Sequence, residues 1–221
     1  MDVIEAMEAR QSTRAFTSQD VAQADIEQIL DSAARAPSGV NTQPWQVAVI
    51  RGQTKQIITD ALLEARRAES EPQPDYAYYP DVWKEPYRMR RVVCGKALYT
   101  ALGITREDKT RQQQAWENNY RFFGAPVALL FFIDRDLNKG SWLDMGMFIE
   151  NVMLAAIGHG LATCPQASIA DYPHLIRDIL GMDPQNLLIC GMSLGYADPD
   201  HPVNQYRLKR ESQDSFTRWF D

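Results

Sequence analysis

Apolar residues at Val3, Ile4 and Met7 recur at helical spacing behind Asp2 and Glu5, an acidic pair three residues apart. That arrangement suits a capping box, and the pattern predicts a first helix ending near Arg10. Ile26, Ile29, Leu30, Ala33 and Ala34 share one face of a second helix starting near Asp25. Pro37 stops it, because proline lacks a donor and restricts the residue before it. Residues 46–50 form a short apolar run that reads as a buried strand, and Arg51-Gly52 turns the chain. Ile57, Ile58, Ala61, Leu62 and Ala65 mark a third helix, and helical patterns return at about 88–102 and 108–122. Residues 126–133 give the strongest strand signal in the chain, apolar on both faces. Residues 142–159 are apolar nearly all round, which predicts a long helix at the centre of a domain or at a large subunit interface. A short strand at 161–165, a helix at 172–180 stopped by Gly181, and a strand at 187–194 complete the pattern.

Two stretches break this rhythm. Between Glu69 and Tyr87, four prolines (Pro72, Pro74, Pro80, Pro86) interrupt regular structure while Tyr76, Tyr78, Tyr79, Trp83 and Tyr87 supply rings. Such a stretch is either an excursion held down by aromatic packing or a lid over a pocket. After Pro199 the chain is charged, with Arg207, Lys209 and Arg210, then aromatic at Phe216, Trp219 and Phe220. A tail that apolar is expected to dock.

The chain has 221 residues, 45% of them hydrophobic, with no repeat and no low-complexity tract. A single domain over residues 1–221 is expected. The net charge of −6 argues against a nucleic-acid binder, which needs a basic face. The apolar stretch 143–164 contains Asp144, Glu150 and His159, so it reads as a buried helix and no membrane association is expected. The first five residues lack the basic and apolar regions of a secretion signal. Three widely spaced cysteines, Cys94, Cys164 and Cys190, suggest free thiols. Together these predict a cytoplasmic protein.

Candidate chemistry starts at Arg10-Gln11-Ser12-Thr13-Arg14, where two guanidinium groups flank a hydroxyl. Arginine presents a planar fork of donors suited to phosphate. Gly191-Met192-Ser193-Leu194-Gly195 matches a nucleophile elbow, but a loop follows it where that motif needs a helix. No phosphate-binding glycine loop is present. His159, His174 and His201 have no metal-ligand spacing and read as caps or surface residues, while Asp134 and Asp136 read as turn formers. Asp144 and Glu150 are expected to pair with arginine if they face the interior.

Four separated segments together resemble the FMN-dependent nitroreductase family. They are Arg10-Gln11-Ser12-Thr13-Arg14, Pro37-Ser38-Gly39-Val40-Asn41-Thr42-Gln43-Pro44-Trp45, Gly160-Leu161-Ala162-Thr163-Cys164-Pro165-Gln166, and Asn204-Gln205-Tyr206-Arg207-Leu208-Lys209-Arg210. The second is the most specific, and the set spans the chain from Arg10 to Arg210. The resemblance implies an α+β fold, an α/β/α sandwich around a central mixed, mostly antiparallel sheet. It implies a homodimer, with the long helix packed on its twin, the tail 199–221 embracing the partner, and FMN at the interface. Arg10, Gln11, Ser12, Arg207 and Arg210 would hold the phosphate and ribityl chain, with Lys209 one residue out of register. Arg14 would sit near the pyrimidine edge. Pro37, Ser38, Gly39 and Asn41 would reach the flavin from the other subunit. Pro165, Gln166 and Ala167 would line the ring, with a backbone N–H near Ala167 or Ser168 facing it.

The implied activity is reduction of nitroaromatics or quinones by NADPH or NADH in a ping-pong cycle. It needs no catalytic side chain and no metal, because the cofactor carries the redox step. The segment 69–123 would cover the pocket for a small aromatic acceptor. Tyr120, Phe122 and Phe123 are candidate walls there, although Phe122 and Phe123 lead into a buried strand, which favours a core position for either alone. Since a fold does not fix a reaction, flavin cleavage, reductive dehalogenation, heterocycle oxidation and flavin carriage without turnover remain open alternatives.

Overall fold

Asp2 accepts the Glu5 backbone N–H at 2.9 Å and Glu5 accepts that of Asp2 at 2.8 Å, closing the expected capping box. It starts α1 (Val3–Ala9) in the computed structural model, which describes residues 2–221. The chain continues through α2 (Gln23–Ala33), β1 (Gln46–Arg51), α3 (Gly52–Arg67), α4 (Tyr87–Ala101) and α5 (Lys109–Glu117). Then come β2 (Val127–Asp134), α6 (Lys139–Gly158), β3 (Ala162–Gln166), α7 (Pro173–Leu180) and β4 (Asn186–Gly195). Gly181 closes α7 in the left-handed conformation, as its position suggested.

The four strands form one sheet in the order β1-β2-β4-β3, every pair antiparallel. The only parallel pairing among the described residues is a single bridge from Ser12 to Thr163. Successive residues of β2 point to opposite faces, and both faces are buried. Val127, Leu129, Phe131 and Ile133 join a core with α2 and α6, while Ala128, Leu130 and Phe132 join a second core with α3 and α7. These two cores make the α/β/α sandwich.

Two expectations need correction. Residues 46–50 are not a buried strand: β1 is the sheet margin, bonded to β2 alone, and Val49 is exposed. Asp144 on α6 has no arginine partner; its Oδ2 accepts the Gly39 N–H at 3.1 Å, while Glu150 does pair with Arg10, at 3.6 Å. The serine of the elbow-like motif is a core residue: Ser193 Oγ lies 2.7 Å from Gln166 Oε1 and 2.8 Å from the Phe122 carbonyl.

A bulge in β4 shapes the next layer. Phe131 opposes Cys190 and Phe132 opposes Leu188, leaving Ile189 outside the ladder. β3 pairs only with 191–195, so the first half of β4 is a bare edge. The proline-rich segment covers it: Asp75 accepts the Leu188 N–H at 3.0 Å and the Tyr76 hydroxyl donates to the Ile189 carbonyl at 2.6 Å. Further along β4, glycine permits a close approach. A Cβ at Gly191 would lie 2.8 Å from Ile169 Cγ1, so only glycine lets the turn Ala167–Asp171 seat against the strand. Gly191→Ala is expected to cost about 1–3 kcal/mol through overpacking. Thermal denaturation should show a midpoint lowered by several degrees, and an unchanged midpoint would contradict this packing.

Candidate functional site

After α1 the chain turns extended at Arg10 and runs beside β3. Thr13 N–H donates to the Thr163 carbonyl at 2.9 Å, which fixes the register of the Arg10–Arg14 segment. The other end of the chain clips over it. Asn204, almost fully buried, accepts the Arg14 N–H at 2.9 Å and donates to the Ala15 and Asp198 carbonyls. Its own carbonyl accepts Gln11 Nε2 at 3.0 Å. This clip brings the basic tail to the basic head of the chain.

The result is a cavity of about 580 Å³ lined by Arg10, Gln11, Ser12, Arg14, Arg207 and Arg210, with Tyr206, Cys94 and Glu8 among its other walls. Lys209 is not on its lining. Arg10 has Glu150 nearby, but Arg14, Arg207 and Arg210 have no carboxylate partner among the described residues. Arg14 Nη1 instead lies 3.3 Å from the Ser12 carbonyl and the Tyr206 hydroxyl. Three guanidinium groups gathered without a carboxylate partner, beside a fourth, form an anion receptor, and they fit a phosphate monoester.

Arg14 also borders a second cavity of about 450 Å³. Pro165, Gln166, Ala167 and Ser168 line one side, and Tyr76, Tyr78, Trp116 and Asn119 line others. This is where the predicted ring-lining residues fall. The Gln166 amide is already committed, donating to the Asn119 carbonyl at 2.6 Å and lying against Ser193. Ser168 Oγ is buried with no hydrogen-bond partner in the structure. A polar atom left so is costly unless a ligand group completes it. Asp171 is the sole carboxylate on the lining. Burial pushes its carboxyl above the usual aspartate range, against the lowering pull of the Tyr120 hydroxyl and the Arg66 charge. Cys164, on the strand beneath, is pushed up to about 11 by burial, so it stays a neutral thiol.

The remaining predicted residues divide. Tyr120 and Phe122 are not pocket walls: both are fully buried in the second core. Phe123 does reach a surface, a cavity of about 210 Å³ shared with Arg14, Trp116 and Asn119. Pro37, Ser38, Gly39 and Asn41 line neither large cavity of their own chain. Their loop is nonetheless built with care. Trp45 stacks on Phe148 at 4.8 Å, Ser38 Oγ accepts the Gln43 N–H, and Val40, Asn41 and Gln43 take positive φ. A β-branched residue at φ 46° is strained, and Val40 is also 97% exposed. Strain of that kind on an exposed loop points to a surface that meets something else.

Comparison with known proteins places these features. The model of the nitroreductase family matches residues 7–196. The chain belongs to the nitroreductase family. Among curated nitroreductases, a 4-nitrobenzoate reductase from Pseudomonas putida is 41% identical over 96% of this chain and 92% of its own. A nitrobenzene nitroreductase from Ectopseudomonas oleovorans is 39% identical over 94% of this chain and 92% of its own. The fold superposes on the FMN and NADPH-dependent nitroreductase NfnB from sphigopyxis sp. strain HMH with a TM-score of 0.97, at 39% identity and full coverage of both chains. The FMN-dependent NfnB from Mycobacterium smegmatis, solved in complex with NADPH, gives 0.93 at 32% identity, again covering both chains. This chain shares the α/β/α sandwich, and its basic cavity sits where the Arg10–Arg14 segment meets the Asn204–Arg210 segment.

Sequence reasoning missed four residues. Asn204 lay inside the tail motif without a role, yet its side chain joins the two ends of the chain. Tyr206 lay in the same motif, also without a role, and Asp75 and Asp171 carried no signal, since each acts through partners more than forty residues away.

Proposed function

We propose that this chain is an FMN-dependent nitroreductase that uses NADPH or NADH to reduce nitroaromatic and quinone acceptors. The observation that carries the reading is a cavity lined by four arginines, three of them without a carboxylate partner among the described residues, joined through Arg14 to a second, polar-lined cavity, in a chain of this family. Arg10, Gln11, Ser12, Arg207 and Arg210 would bind the FMN phosphate and ribityl chain. Pro165, Gln166, Ala167 and the Ser168 hydroxyl would border the ring. Bound FMN would supply two-electron chemistry, accepting hydride from the nicotinamide and returning electrons to the acceptor. Arg14 lines both cavities and would place a fixed cation where negative charge develops on reduction. Tyr76, Tyr78 and Trp116 would exclude water and stack against a small aromatic acceptor. Of the two NfnB relatives, one is NADPH-dependent and the other is solved in complex with NADPH, which supports NADPH as donor.

The active form in this reading is a homodimer, in which Pro37, Ser38, Gly39 and Asn41 complete the partner's flavin site. The exposed, strained loop at Val40 supports it. So do exposed Leu143 on α6 and exposed Phe216, Trp219 and Phe220 on the tail, apolar surface that a second copy would cover. The reading also places the enzyme in the cytoplasm as a single domain over 1–221, where Cys94, Cys164 and Cys190 stay free. Among the described residues no helix is long and apolar enough to cross a membrane.

Steady-state kinetics test the reading. NADPH and a nitroaromatic varied together should give parallel double-reciprocal lines, because the first product leaves before the acceptor binds. Intersecting lines, or no NADPH oxidation with any nitroaromatic or quinone, would contradict it.

A further inference from the structure

We propose that Asp171 is the proton donor to the acceptor's nitro group, acting from the wall of the ring-side cavity. The inference rests on the activity proposed above and adds a catalytic residue to it. Reduction of a nitro group to nitroso consumes one hydride and one proton and breaks one N–O bond. The oxygen leaves as water carrying both hydrogens. Hydride comes from the reduced cofactor, whereas the proton must come from solvent or from a group at the cavity wall.

Asp171 is suited to that task by position and by elimination. It ends the turn Ala167–Asp171, which packs on Gly191 and carries Ala167 and Ser168 on the same cavity wall. Its carbonyl accepts the Gln73 N–H at 2.9 Å, which ties it to the segment opposite. The Tyr120 hydroxyl donates to Oδ2 at 3.0 Å, and no donor among the described residues reaches Oδ1. One carboxyl oxygen is therefore held in place while the other is unengaged. An arginine side chain is no proton donor in proteins. The phenols lining the cavity titrate far above neutrality as a class, and burial pushes Tyr76 and Tyr78 higher still. Asp171 is left as the one carboxyl on the lining, raised by burial, with Tyr120, Tyr172 and Arg66 as the charged or titratable groups that face it. A carboxyl raised by burial is the usual form of a general acid in a closed site.

After the transfer Asp171 is a carboxylate, stabilised by the Tyr120 hydroxyl, and it regains its proton from solvent when product leaves. Removing that hydroxyl withdraws stabilisation from the ionised form, so Tyr120→Phe must raise the Asp171 pKa further.

The test separates proton delivery from electron transfer. Holoenzyme reduced anaerobically with NADPH is mixed with nitrobenzene or with ferricyanide, an acceptor that needs no proton, across a range of pH. Reoxidation of wild type by nitrobenzene should slow as pH rises through the Asp171 pKa. In Asp171→Asn that rate should fall on the order of a hundredfold and lose its pH limb, while ferricyanide reoxidation stays within about twofold. Tyr120→Phe should move the limb to higher pH. Carbon-13 titration of the side-chain carboxyls of the apoprotein, assigned by comparison with Asp171→Asn, should show the Asp171 midpoint moving in the same direction. Unchanged nitrobenzene reoxidation in Asp171→Asn, equal slowing with both acceptors, or a limb unmoved in Tyr120→Phe would overturn the assignment while leaving the proposed activity standing. Wild type that NADPH fails to reduce would overturn both.

Discussion

Dialysis of an Arg207→Ala/Arg210→Ala double variant should leave it colourless under conditions in which wild type keeps its FMN. Both side chains line the cavity where the two ends of the chain meet, and neither has a carboxylate to satisfy it. Each charge-assisted contact to phosphate contributes roughly 1.5–3 kcal/mol, or about tenfold to a hundredfold in affinity. The pair should therefore weaken FMN binding on the order of 10² to 10⁴-fold, with some coupling because the residues are neighbours. Arg10→Ala should lose less, because Arg10 already shares its charge with Glu150 at 3.6 Å. Arg51→Ala supplies the control: Arg51 lines neither cavity and bonds to Gln23 at the sheet margin. Flavin released on dialysis, followed by its fluorescence, measures all three. Equal retention in Arg10→Ala and Arg51→Ala would remove the basic head of the chain from the phosphate site.

The largest effect on stability is expected at Asp75. Its Oδ2 lies 2.5 Å from Arg177 Nη1 and 3.0 Å from the Leu188 N–H, and its Oδ1 lies 3.3 Å from Arg135 Nη2. The Asp75 and Arg177 side chains are only 6% and 10% exposed. Asp75→Ala would strand a buried guanidinium and free the bare edge of β4, a change that typically costs about 3–5 kcal/mol. In a chain of this size that lowers the thermal midpoint by about 10 °C. Asp75→Asn keeps an acceptor for Leu188 and should cost less. The same substitution loosens Tyr76, the next residue and a wall of the cavity beside Ala167 and Ser168. The KM for a nitroaromatic acceptor should therefore rise in variants that still fold. A midpoint shift below about 2 °C would mean the segment is held by its aromatic packing alone.

Much of this architecture could be read from local pattern. The capping box at Asp2 and Glu5, the stop at Gly181 and the doubly buried β2 each depend on a few neighbouring residues, so sequence spacing reports them. β1 was misread because an apolar run of five residues looks alike at the middle and at the margin of a sheet. Only the strand order β1-β2-β4-β3 distinguishes them. Tyr120 and Phe122 were candidates for the pocket because aromatic residues suit both a core and a stacking wall. Their placement was decided by Asp171 and by the second core, neither visible from the 108–123 stretch.

The cavities show the same division. The arginines and Ser12 were legible as chemistry, since few residue types bind phosphate. Their convergence was implied by the family resemblance and not by the residues themselves, because it depends on Asn204 reaching from the tail to Arg14 and Ala15. Whether the segment after Glu69 is an excursion or a lid was also undecided in sequence. In the structure it covers the edge of β4 through Asp75 and Tyr76, and Tyr76 and Tyr78 line the cavity beside Ala167 and Ser168.

One anaerobic experiment tests the proposed activity most directly. The purified protein, saturated with FMN and washed, should be yellow. NADPH added in stopped flow should bleach it in a single-exponential phase without acceptor present. A second mix with nitrobenzene should restore the colour and yield reduced nitro product. A protein that takes up no FMN, or that holds FMN which NADPH leaves oxidised, would contradict the reading of both cavities.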